Sequence, residues 1–205
     1  MPQRGRLGLV AVLAALVVLL LGIRYADDSG PGAVDVRVGA LVDGARPPWW
    51  RQAALAADFL GEPAGAAVLV LVVAGGCLLL RRPRAAVLAV AGAGLTVGTT
   101  TLLKHVAGRT INGGHLSYPS GHTAFLTALA VSVTLLAVER AGRTAGALAV
   151  CAAALAAGAG MGWAQVALGA HYPTDVLGGW CTALAVTPAT AWLVDRTADA
   201  ARARP

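Results

Sequence analysis

Ala64-Gly65-Ala66-Ala67-Val68-Leu69-Val70-Leu71-Val72-Val73-Ala74-Gly75-Gly76-Cys77-Leu78-Leu79-Leu80 carries no charge and stops against Arg81-Arg82-Pro83-Arg84. An apolar run approaching the ~20 residues that span hydrocarbon, closed by a basic cluster, reads as a membrane helix with its topology signal attached. Working outward, five more runs have the same character: Leu7–Ile23, Ala85–Leu103, Thr123–Val138, Thr144–Val166 and Asp175–Val194. Together they predict an all-α fold, a six-transmembrane-helix bundle formed by a single domain over residues 1–205.

Composition agrees: 57% hydrophobic and 13% charged residues, with a mean hydropathy of +0.70, do not describe a domain whose solvent is water. The net charge of +6 is not a nucleic-acid signal, because the arginines fall in short clusters between apolar runs rather than along one face. In a six-span arrangement Arg4/Arg6, Arg81/Arg82/Arg84, Arg140/Arg143 and Arg196/Arg202/Arg204 all lie on one side. That side is expected to be cytoplasmic, with both termini in it, in a multi-pass protein of the cell membrane. Arg24-Tyr25-Ala26-Asp27 offers no small-residue cleavage site after the first run, so a retained helix is expected there.

Cys77, Cys151 and Cys181 are odd in number and sit inside apolar runs, which reads as small buried hydrophobes rather than disulfides or metal ligands. The glycine- and alanine-rich stretches Ala91-Gly92-Ala93-Gly94 and Gly158-Ala159-Gly160 suggest close helix packing in the bundle interior. Between the first two spans, Pro47-Pro48-Trp49-Trp50 and the residues to Leu60 predict a short amphipathic helix lying on the outer face.

The reactive residues gather in the outer connections. His105, His115, His122 and His171, with the only lysine, Lys104, follow the third and fifth runs, and ionisable groups at span ends mark a site. Tyr118-Pro119-Ser120-Gly121-His122-Thr123 precedes an apolar helix. Ser120 is placed to cap it, and the free N–H groups there suit an anion, with Gly121 permitting close approach of a phosphate oxygen. His122 can then present an imidazolium to a leaving oxygen. In Gly169-Ala170-His171-Tyr172-Pro173-Thr174-Asp175 the carboxylate stands four residues after the imidazole and can orient it, although a purely structural Asp–His pair has the same spacing.

These elements, a lysine with Gly108-Arg109, a Pro-Ser-Gly-His and a His-x-x-x-Asp, resemble in order the signature of the type 2 phosphatidic acid phosphatase (PAP2) superfamily. The resemblance implies a membrane lipid phosphatase in which His171 attacks phosphorus, Asp175 orients it and His122 protonates the leaving group. Lys104, Arg109, Ser120, Gly121 and Gln165 would hold phosphate oxygens. It implies a lipid phosphate or diphosphate substrate, such as a polyprenyl diphosphate or a phosphatidate-like lipid, no cofactor and no metal. Acids other than Asp175 on the outer side look scattered through 24–63, unlike a magnesium cage.

Two positions depart from the pattern. Ile111-Asn112 occupy the usual Arg-Pro, and Ala164-Gln165 stand where serine and arginine are expected. Losing a bidentate arginine costs about 1.5–3 kcal/mol per ionic hydrogen bond, roughly tenfold or more in rate. That leaves an alternative reading, a non-catalytic or weakly active lipid-phosphate binder or transporter. An inert bundle accounts less well for histidines gathered at one membrane face. Neither the lipid nor the oligomeric state is encoded in these features.

Overall fold

The computed structural model describes residues 3–44, 47–137 and 143–202. Val138 at the end of one expected run, and Arg140 and Arg204 of the charge pattern, lie outside the described residues. Eight helices and one hairpin make up the described chain: α1 (Gln3–Arg24), α2 (Ala33–Gly44), α3 (Trp50–Gly61), α4 (Pro63–Leu79), α5 (Pro83–Ala107), β1 (Thr110–Ile111), β2 (His115–Leu116), α6 (Gly121–Ala137), α7 (Arg143–Ala167) and α8 (Pro173–Arg202). Each apolar run coincides with a helix. Prolines at the first positions of α4 and α5 start those helices where no backbone donor is lost.

By length and apolarity α5, α7 and α8 can each cross a membrane; α3 and α4, bent by 67° at their junction, count as a fourth span if taken together. The apolar parts of α1 and α6 are shorter. Leu13, Leu16 and Leu20 of α1, Leu71 and Leu79 of α4, and Val87 and Val90 of α5 all face outward. In water such exposure would forgo roughly 25 cal/mol per Å² of apolar surface, whereas against lipid tails nothing is lost.

Inside, the bundle is held by small residues and hydroxyls. α6 packs against α5, α7 and α8, and α8 also lies along α1. Ala89 and Ala93 of α5 close on Phe125 and Leu129 of α6. The α7–α8 contact is a ridge in a groove: Gly158 and Gly162 have no side chain where Trp180 and Val176 press in, and the Trp180 indole N–H donates to Ala154 O at 2.9 Å. The expected interior stretches are used only in part, since Gly94 and Gly160 face open space. Ser132, Thr182 and Thr190 return their hydroxyls to carbonyls one turn earlier, which satisfies them without a partner helix.

Two elements differ from expectation. Residues 33–44 form α2, although Val34, Val36 and Val38 alternate as a strand would; its one buried residue is Asp35. A hairpin occupies 110–116, pairing Thr110 with Leu116 and Ile111 with His115. Its turn holds Asn112 at φ 48°, a conformation closed to proline, whose ring fixes φ near −65°. A proline at position 112 would therefore not fit this turn as it stands.

Candidate active site

The connections that follow α1, α5 and α7 converge at one end of the bundle. The 117–120 loop lies on α8 because Gly178 and Gly179 offer no Cβ where the Tyr118 ring and the Ser120 carbonyl rest. The Tyr118 hydroxyl donates to Val18 O of α1 at 2.6 Å, and Ser120 N–H donates to Asp175 O at 2.9 Å. Ser120 Oγ accepts from Thr123 N–H at 3.4 Å, the capping contact expected at the start of α6. The N–H groups of Gly121 and His122, first in that helix, have no intrahelical acceptor. A Cβ at Gly121 would make only an ordinary contact with Thr100, so packing does not demand a glycine there.

Asp175 is fully buried and divides its oxygens. Oδ2 accepts the Tyr172 N–H at 3.0 Å and stands 3.7 Å from His171 Nδ1. Oδ1 accepts from Arg109 Nη1 at 2.7 Å. A carboxylate on the Nδ1 side favours the tautomer with a proton there, leaving the Nε2 lone pair as the available nucleophile. Burial pushes the His171 imidazole below its ordinary range; Asp175 pulls it back up, while the charges of Lys104 and His122 push the same way as burial. Lys104 and His122 thus lie near enough for their charges to act on His171.

Arg109 is the centre of a buried clamp that spacing did not reveal. Its Nη1 also donates to Thr174 Oγ1 at 2.6 Å, and its Nη2 donates to Asp35 Oδ2 at 2.7 Å. The guanidinium is stacked between the Tyr25 and Tyr172 rings, 4.1 and 4.5 Å from their centroids. Asp35 accepts further bonds from Thr174 N–H and Gly32 N–H, both at 2.9 Å. Burial alone would raise the Asp35 carboxyl, but the donors from Thr174, Arg109 and Gly32 outweigh it and hold the group below its usual range. With both terminal nitrogens engaged, Arg109 braces Asp175 instead of opening toward phosphate as expected; only its buried Nε lacks a hydrogen bond.

The other expected residues divide likewise. Lys104 donates to Leu116 O at 2.8 Å, which aims the ammonium toward the hairpin and the loop after it. Gln165, almost fully buried, donates its amide to Asp58 Oδ1 at 2.7 Å. His122 Nε2 stands 3.5 Å from Asp58 Oδ1 and 3.7 Å from Glu62 Oε1 and has no hydrogen-bond partner. The acids of 24–63 are thus not scattered, because α2 brings Asp35 to Arg109 and the α3–α4 junction brings Asp58 and Glu62 to His122. His105 and His115 are exposed, whereas His122 and His171 are wholly or partly buried.

The fold is similar to the crystal structure of a transmembrane PAP2-type phosphatidylglycerolphosphate phosphatase from Bacillus subtilis, with a TM-score of 0.72 at 20% identity, covering 95% of this chain and 98% of that one. No curated protein matches the sequence. The family model of the PAP2 superfamily matches residues 64–199, a stretch that contains Lys104, the Ser120–His122 loop and the His171–Asp175 pair; the chain belongs to the PAP2 superfamily.

Proposed function

We propose that the protein is a phosphatase of the membrane that hydrolyses a lipid phosphate or diphosphate by way of a phosphohistidine on His171. The observation that carries this reading is the buried pairing of His171 with Asp175, in one site with His122 and Lys104. His171 Nε2 attacks phosphorus, and the bond to the lipid oxygen breaks as His122 gives that oxygen its proton. The now neutral His122 takes a proton from water, whose oxygen displaces His171 and releases phosphate. Lys104 and the N–H groups of Gly121 and His122 hold the phosphoryl oxygens.

Asp175 and its brace, Arg109 with Asp35, keep the nucleophile oriented. The route calls on no metal ion, so EDTA leaves activity intact. An open apolar groove of about 320 Å³ between α4, α5 and α6, lined by Ala66, Val70, Val90, Ala93 and Phe125, gives a lipid chain a place one turn from His122. Six spans with cytoplasmic termini, placing the site at the outer face, complete the reading; the arginine pattern supports it. That the Bacillus protein is a phosphatidylglycerolphosphate phosphatase makes phosphatidylglycerolphosphate one candidate beside polyprenyl diphosphates and phosphatidate.

Binding without turnover is the weaker reading. With Arg109 and Gln165 engaged by carboxylates, the site holds phosphate less firmly than the family pattern, while the groups for attack and proton transfer are intact. The test is phosphate release by the purified protein in detergent, across monophosphate and diphosphate lipids. Release that His171→Ala and His122→Ala abolish supports the proposal; binding of those lipids with no release from any of them would overturn it.

A further inference from the structure

Asp58 on α3, Glu62 at the α3–α4 junction and His122 on α6 present one donor atom each within 4.8 Å of one another. Three details fit this set to a metal. The Nε2–oxygen separations are 3.5 and 3.7 Å, longer than the roughly 2.7–2.9 Å of an ionic hydrogen bond, as is the 3.7 Å between His171 and Asp175. Two ligands held by ~2.1 Å bonds at a tetrahedral angle stand about 3.4 Å apart. Secondly, His122 Nε2 is shut off from solvent and takes no hydrogen bond, so its lone pair or its proton is uncommitted. Thirdly, the donors are held from behind: Gln165 fixes the Asp58 carboxylate, and Gly61 lies against His122 so closely that a Cβ there would run into the ring. Orientation of ligands by surrounding contacts is what metal sites rely on.

We propose that Asp58, Glu62 and His122 form a binding site for a divalent transition metal of the zinc class, and that occupancy shuts off the phosphatase. One imidazole nitrogen and two carboxylate oxygens, with a fourth position open to water, suit zinc rather than magnesium, which takes six oxygens. The metal takes the Nε2 lone pair, so His122 cannot carry the proton that the leaving oxygen needs. This inhibitory consequence rests on the role proposed for His122; the metal site itself does not.

The experiment uses the full chain in detergent with Co²⁺ as a visible-absorption probe and Zn²⁺ as the displacing ion. One equivalent of cobalt should give tetrahedral-type absorption that zinc removes. Glu62→Gln and Asp58→Asn should each weaken cobalt binding about tenfold or more, while His171→Ala leaves it unchanged. Absence of the cobalt spectrum, or its retention in both carboxylate variants, overturns the site, whatever the protein's activity. In phosphatase assays zinc should inhibit the wild type, and the same zinc concentration should remove a much smaller share of the metal-free activity of Glu62→Gln. Zinc activation, or equal inhibition of both proteins, overturns the inhibitory role even where cobalt binds.

Discussion

Replacing Asp35 by asparagine tests the buried clamp, because the shape is kept while the charge facing Arg109 is removed. Both side chains are almost wholly buried, and Asp35 accepts from Arg109, Thr174 N–H and Gly32 N–H. An amide carries one oxygen for these donors, so its NH₂ must face at least one of them. Breaking a buried pair from one side costs about 3–5 kcal/mol, well above the 0–1 kcal/mol of an exposed pair. Arg109, left with Asp175 as its remaining carboxylate partner, draws that group away from His171, so kcat should fall by about tenfold or more while KM changes little.

The measurement is a double-mutant cycle of Asp35→Asn and Arg109→Gln, scored by unfolding in detergent at pH 7 and by kcat. Partners in one clamp should show a coupling of about 2 kcal/mol or more, the double variant being far less damaged than the sum. The Asp35 carboxyl is held low in the fold, so its contribution is present above its ordinary pKa of about 3.8 and is lost as pH falls through the lower folded value. The stability gap between wild type and Asp35→Asn should close in that acid range. Additive effects at pH 7, or an Asp35→Asn variant with unchanged kcat, would refute the reasoning.

Other outcomes follow from the same geometry. Since burial keeps His171 below its ordinary 6.5, and the nucleophile must be neutral, the acid limb of kcat/KM should lie at a pH under 6.5; a limb above it would contradict the burial argument. Gln165→Arg should pair with Asp58, restore a cation beside the site and raise activity about tenfold; a fall in activity would show that the Gln165–Asp58 bond is needed as it stands. Gly61→Ala should displace His122 and cut kcat with little change in KM, and unchanged kinetics would mean that the α3–α4 bend does not position the imidazole. For topology, cysteines introduced at Ala26 and at Arg81 should react with an impermeant maleimide in intact cells only at the former.

The helices were legible because lipid imposes a simple demand: every backbone polar group must be satisfied within the segment, so a spanning stretch is long, apolar and bounded by charge. That reads Ala64–Leu80 and its companions directly. It says nothing of α2, whose exposed Val34, Val36 and Val38 fit a strand as well as a helix, and whose single buried residue is an acid. His122, His171 and Asp175 stood out because Pro-Ser-Gly-His and His-x-x-x-Asp resemble the family signature, and the roles expected of them came with that resemblance. Asp35, 74 residues from Arg109 in sequence, did not, since only the folding of α2 over the outer loops joins them. The same holds for Asp58 and Glu62, whose i,i+4 spacing gave no hint that α6 would bring an imidazole to them. Asn112 carried a usable sign: an asparagine before two glycines is a turn sequence, and the hairpin turn falls there.

The most direct test of the account is transfer of labelled phosphate to the protein itself. Brief reaction with a phosphorus-labelled lipid phosphate and an alkaline quench should leave a base-stable, acid-labile adduct that maps to the peptide containing His171 and is absent in His171→Ala. An adduct that survives in His171→Ala, or turnover with no adduct at any time point, would contradict the account.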